Sequence, residues 1–120
     1  MILISHNKQA RDAWESFTDA ERAKGYQVHA DLHNDLVESG EMVVAEALAD
    51  PAQAKRILVS DGRATTTDGP FPEVKEHLAG FYMVDVDSVE TAIEYAARIP
   101  EARYGLVEVR PVLGNSGTDL

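Results

Sequence analysis

Chemistry in this sequence has to come mainly from imidazoles and carboxylates, because its 120 residues include four histidines and no cysteine. The missing thiol excludes disulfides, thiolate catalysis and zinc-thiolate sites together. His29 is the imidazole of most interest. Such a ring titrates near neutral pH, and a carboxylate bonded to one nitrogen fixes the tautomer while the other nitrogen stays free to move a proton. His29 and His33 are four residues apart and could face one metal ion from adjacent helical turns. No acidic residue completes a His-Glu-x-x-His run, so no metal is assigned and no cofactor is called for. His33, His6 and His77 read as solvent-facing. Glu46 alternates with apolar residues on one strand, and Glu108 and Arg110 alternate on another. Buried charges demand partners, so Glu46 and Arg110 either fix the register of two packed sheets or anchor a carboxylate-bearing ligand. Ser60 lies in no nucleophile elbow, and Gly62, Gly69 and Gly80 are isolated turn glycines rather than a phosphate loop.

The elements that position these residues can be read in order. Met1 to Ser5 is a short apolar run that suits an opening strand, and Trp14 and Phe17 pin a loop or short helix onto the body. Thr18-Asp19-Ala20-Glu21 fits a capping box, so a helix begins near residue 19. It runs to about Ser39, where Gly40 supplies a left-handed stop. Val28, Leu32 and Leu36 share a face with Gly25 and His29. Glu41 to Leu48 is a strand. Arg56 to Ser60 and Arg63 to Thr67 form a hairpin about Asp61-Gly62, a pair that tolerates positive φ at both central positions, and this hairpin reads as an insertion. Asp68-Gly69-Pro70 is a second turn, Pro72 to His77 a short helix and Phe81 to Val86 a buried strand. Asp87 and Ser88 offer alternative N-caps, Glu90 at N3 suiting Asp87, for a helix with Val89, Ala92, Ile93, Ala96 and Ala97 on one face, and Leu106 to Val112 is the last strand. Residues 1 to 113 make one domain, and a polar tail follows from Gly114.

That order is the ferredoxin-like β-α-β-β-α-β pattern of an α+β fold, with an inserted β-hairpin. Right-handed crossovers put both helices on one face of an antiparallel sheet. The other face stays too apolar to be left wet, so a homodimer that pairs two sheets is expected.

Charge narrows the partners. With 21 acidic against 11 basic residues the net charge is −10, and no segment concentrates Lys and Arg. Counterion release needs a basic footprint, so neither nucleic acid nor an anionic membrane is expected as a partner. No run reaches the ~18 apolar residues of a spanning helix, and the first residues lack a secretory pattern; a cytoplasmic location is the expectation.

The stretch from Asp68 to Val86, DGPFPEVKEHLAGFYMVDV, resembles the signature of the DGPF, or YCII-related, family of small bacterial proteins. The likeness continues through EYAARIPEARYGLVEVRPV and covers residues 40 to 112 well. It implies a homodimeric α+β barrel. Counted back from Gly40, His29 falls where YCII-type relatives carry a helix histidine, and Asp68 opens the motif, so the resemblance implies a His29–Asp68 dyad in a pocket. Two readings of these residues are open. A dyad suits general acid-base proton transfer on a small, cyclic organic molecule. Alternatively, Asp68 holds its turn by an Asx-type bond and His29 bonds a carbonyl. The second reading suits a non-catalytic ligand-binding or regulatory module, as some relatives lie fused to or beside sigma factors of the extracytoplasmic-function type.

Overall fold

The structure is a computed structural model in which residues 1–114 are described. The chain runs β1 (Ile2–His6), α1 (Lys8–Ser16), α2 (Asp19–Ser39), β2 (Met42–Ala47), a 3₁₀ turn (Pro51–Gln53), β3 (Lys55–Ser60), β4 (Arg63–Asp68), β5 (His77–Val84), α3 (Val89–Ala96), a second 3₁₀ turn (Pro100–Tyr104) and β6 (Val107–Val109). It is a mixed α+β fold. Four strands form one sheet in the order β2-β5-β1-β6, each neighbouring pair antiparallel, while β3 and β4 form a separate two-stranded hairpin.

Local signals explain why α2 starts and stops where it does. Thr18 Oγ1 accepts from the Glu21 amide at 3.1 Å and Glu21 Oε1 accepts from the Thr18 amide at 3.0 Å, so the box satisfies two amides that the first turn would otherwise leave bare. At the other end Gly40 adopts φ 78°, a conformation that a Cβ would strain, and its N–H returns to the carbonyls of Leu36 and Val37. Between these caps Leu32 and Leu36 are completely buried.

Those two leucines meet Ile2 and Ile4 of β1, Tyr82 of β5, Ala96 of α3 and Ile99 in the core. Side chains of a strand alternate faces, so the sheet residues of this cluster all belong to one face, and α2 and α3 pack on that same side. Leu3, Phe81 and Met83 take the opposite parity and are only half covered, and Val44, which pairs with Met83, is 38% exposed.

Several elements depart from the sequence reading for identifiable reasons. Pro72 to His77 is turn rather than helix: a segment this short lacks the length to offset helix nucleation, and β5 begins four residues earlier than expected, at His77. Of the two candidate caps of α3, Ser88 is the one used, accepting from the Thr91 amide at 3.2 Å. Of the expected apolar face of α3, Ala92 and Ala96 are buried but Val89 and Ile93 are each 51% exposed, because the helix lies close on its small residues. β6 ends at Val109, where its ladder on β1 closes with the Arg110 amide on the Met1 carbonyl at 2.8 Å. The polar tail expected from Gly114 lies, apart from that glycine, outside the described residues.

Leu36→Ala is expected to cost ~2–5 kcal/mol, since a fully buried leucine leaves a cavity the core closes only partly. Thr18→Ala is expected to cost ~1 kcal/mol through loss of the cap. Urea denaturation of the two variants against wild type measures both, and equal losses would contradict this ranking.

Candidate functional site

Three elements far apart in sequence converge at one end of the core. His29 rides on α2 one turn before Leu32, so the anchoring of that leucine brings the imidazole to the margin of the sheet, where its side chain remains 32% exposed. Tyr82 comes from β5 on the helix-facing parity and is 7% exposed. Glu101 comes from the second 3₁₀ turn. Pro100 opens that turn with the correct φ, Gly105 closes it at φ 70°, and the Leu106 amide donates to the Glu101 carbonyl at 3.2 Å. Ile99 and Leu106, both nearly inaccessible, anchor the turn on either side.

The side chains form a chain of polar contacts. His29 Nδ1 is 2.9 Å from the Tyr82 hydroxyl, and the two rings lie parallel within 3°. His29 Nε2 is 3.6 Å from Glu101 Oε2, and the other carboxylate oxygen, Oε1, is 3.5 Å from His6 Nε2. Oε2 is shielded from solvent and has no hydrogen-bond partner at normal distance. Burial alone would push the Glu101 carboxyl up, but the His29 and His6 imidazoles beside it prevail and hold it well below the usual carboxylate range. Burial, and then the Glu101 charge, push the Tyr82 phenol up. The His29 ring thus has the Tyr82 hydroxyl within hydrogen-bond distance of one nitrogen and the Glu101 carboxylate just beyond that distance from the other.

A cavity of about 1100 Å³ opens beside these residues, its wall including His29, Tyr82, Glu101 and His6 together with Trp14 and Tyr104. Trp14 belongs to α1, the segment to which the sequence reading gave no chemistry. Gly25 lets its ring lie against α2, since a Cβ there would come within 3.1 Å of the indole, and Arg22 ties α1 down by donating to the carbonyls of Trp14 and Glu15. Among the described residues no group of three or more histidines and carboxylates could hold a metal ion.

The YCII-related domain model matches residues 1–115. The chain belongs to the YCII-related family. It is also 28% identical over 113 residues to an uncharacterized protein of Rhizobium meliloti (strain 1021), a match spanning 92% of this chain and 89% of that protein.

In this YCII-related protein the residues singled out in the sequence are dispersed. Asp68, the expected partner of His29, ends β4 and pairs with Lys55 Nζ at 2.6 Å in an exposed position. The carboxylate facing His29 is Glu101 instead. Hairpin register could have given the first half of this correction, since Lys55 and Asp68 are equidistant from the Asp61-Gly62 turn and stand opposite each other. Nothing local marks Glu101; only Pro100 before it hints that its backbone is fixed. Glu46 lies exposed on outer strand β2, and Arg110 follows outer strand β6, so β5 and β1 separate them within one subunit. Arg110 pairs with Glu108. His33 is exposed as expected, and His6, read as a surface residue, is exposed yet faces Glu101.

Because the Glu101 carboxyl lies below its ordinary value of 4.5 in the folded protein, it contributes stability that is complete above that value and is lost as pH falls below it. Glu101→Gln should therefore show a smaller loss of melting temperature than wild type between about pH 5 and pH 3. Equal acid slopes in the two proteins would contradict the assignment.

Proposed function

We propose that this YCII-related protein binds a small organic molecule in the cavity beside His29 and moves a proton on it by general acid-base chemistry. The observation that carries this reading is the placement of one partly accessible imidazole between a half-buried carboxylate and a phenol, at the wall of a cavity that also includes Trp14 and Tyr104. His29 is the proton carrier, Glu101 orients its ring and stabilises its charged form, and Tyr82 shares its proton with Nδ1. Asp68 remains a candidate only if a second copy brings it to the cavity. The aromatic walls suit a cyclic, largely apolar molecule.

The four-stranded sheet order supports a ferredoxin-like reading, and we take the half-covered face carrying Leu3, Val44, Phe81 and Met83 as the surface on which a second subunit packs to form a dimeric α+β barrel. A subunit with one sheet face uncovered lacks a second apolar layer, and an identical copy supplies it with two-fold symmetry. In that assembly Glu46 and Arg110, at opposite edges of one sheet, are placed to meet across the junction and fix its register or to hold an acidic ligand.

A second reading, a ligand-binding or regulatory module without chemistry, has one observation in its favour: both ring nitrogens of His29 already face partners inside the subunit. Exchange of α-protons of small cyclic carbonyl compounds in D₂O tests the chemistry. Wild type should accelerate exchange for at least one member of such a panel, His29→Ala should lose ~10²-fold or more, and Glu101→Gln should be slower than Asp68→Asn. No acceleration for any member would favour the module. Sedimentation at micromolar concentration should give twice the 13.1 kDa of one chain.

A further inference from the structure

We propose that the β3–β4 hairpin is an assembly arm whose apolar strand lies against a second copy of this chain. The proposal rests on the dimer reading above and deepens it, because it assigns part of the contact to a segment that lies outside the sheet.

Four observations converge on the arm. First, Ile57, Leu58 and Val59 are consecutive on β3 and are 70%, 66% and 64% exposed, so apolar side chains stand bare on both faces of the hairpin. Opposite them β4 offers Thr66, Thr65 and Ala64, a β-prone row without a charge. A two-stranded hairpin alone in water is marginal, and a free edge of this composition is ordinarily guarded by charge, proline or a covering element. Secondly, its base is built to hold one direction. Lys55 bonds Asp68 at 2.6 Å, the Arg56 guanidinium lies 4.0 Å above the Phe71 ring, and Gly69 fits so closely against the Pro51 carbonyl that a Cβ would come within 2.1 Å of its oxygen.

Thirdly, the molecule has more surface than its mass accounts for. Its accessible area is 8550 Å², whereas a compact monomer of this mass exposes about 6,400 Å². Its radius of gyration is 16.7 Å against about 13.6 Å for a compact chain of this length. The excess is more than the ~800 Å² that each partner contributes to a standard stable interface. Fourthly, charge favours an identical partner. The chain carries a net −10, yet residues 55–68 hold Lys55, Arg56 and Arg63 against Asp61 and Asp68 and are slightly basic. Two acidic bodies repel, and a slightly basic segment can approach another such body without that penalty.

The test uses the full chain in sedimentation equilibrium, with Ile57→Lys/Val59→Lys and Thr66→Lys as arm variants and Met83→Lys as the sheet-face variant. The arm side chains make no part of the core cluster, so far-UV circular dichroism should be unchanged in the arm variants. The expected result is a wild-type dimer, weakened at least ~10-fold in the double arm variant and measurably in Thr66→Lys. Hydrogen exchange of residues 55–68 gives a readout independent of mutation: protection should rise with protein concentration through the dissociation constant. A dimer of unchanged affinity in both arm variants, with the arm unprotected at every concentration, overturns the arm while leaving the sheet-face dimer standing. A wild-type monomer at tens of micromolar overturns both.

Discussion

A four-stranded sheet has two faces, and this chain supplies long helices for one. Everything else in the structure is arranged around that shortage. On the helical side Ile2, Ile4, Tyr82, Leu32, Leu36, Ala96 and Ile99 form a small core whose leucines are fully removed from water. On the other side Leu3, Phe81 and Met83 are only half covered, and the hairpin beyond them exposes three large aliphatic residues in a row. Apolar surface of that extent is uncommon on a solitary soluble protein and is the usual mark of an interaction surface.

The polar cluster owes its position to the same core. The anchoring of Leu32 brings His29 to the sheet margin, and the anchoring of Ile99 and Leu106 holds Glu101 beneath it. Burial alone would push a carboxyl in that position up, and the imidazoles of His29 and His6 hold it down. The stacked phenol of Tyr82 completes the contact on the far nitrogen. The carboxylate that faces His29 is therefore also one that titrates with folding.

Membership in the YCII-related family fits both halves of this picture without supplying a reaction. Within the described residues no helix is long and apolar enough to cross a membrane, and the acidic surface offers no stripe of cations for a polyanion. The hairpin proposed as the assembly arm stands on a base braced by Lys55–Asp68 and by Arg56 on Phe71.

What a few consecutive residues encode was legible in the sequence. The capping box at Thr18, the stop at Gly40 and the Asp61-Gly62 turn were all placed correctly, because each depends on hydrogen bonds or φ values within four residues. The helices α2 and α3 and the strand segments followed from periodicity, which is likewise local. Boundaries failed where neighbours decide them: β5 starts at His77 because β1 and β2 extend alongside it, and Val89 and Ile93 stay exposed because Ala92 and Ala96 let α3 lie close on its small side. The polar cluster was the least legible. Glu101 lies 72 residues from His29 and 95 from His6, and no pattern in either neighbourhood announces that they meet. Sequence alone determined which turns and caps the chain would make; which carboxylate would face the imidazole was decided only by tertiary packing, because that contact depends on where two anchored elements come to rest against a third.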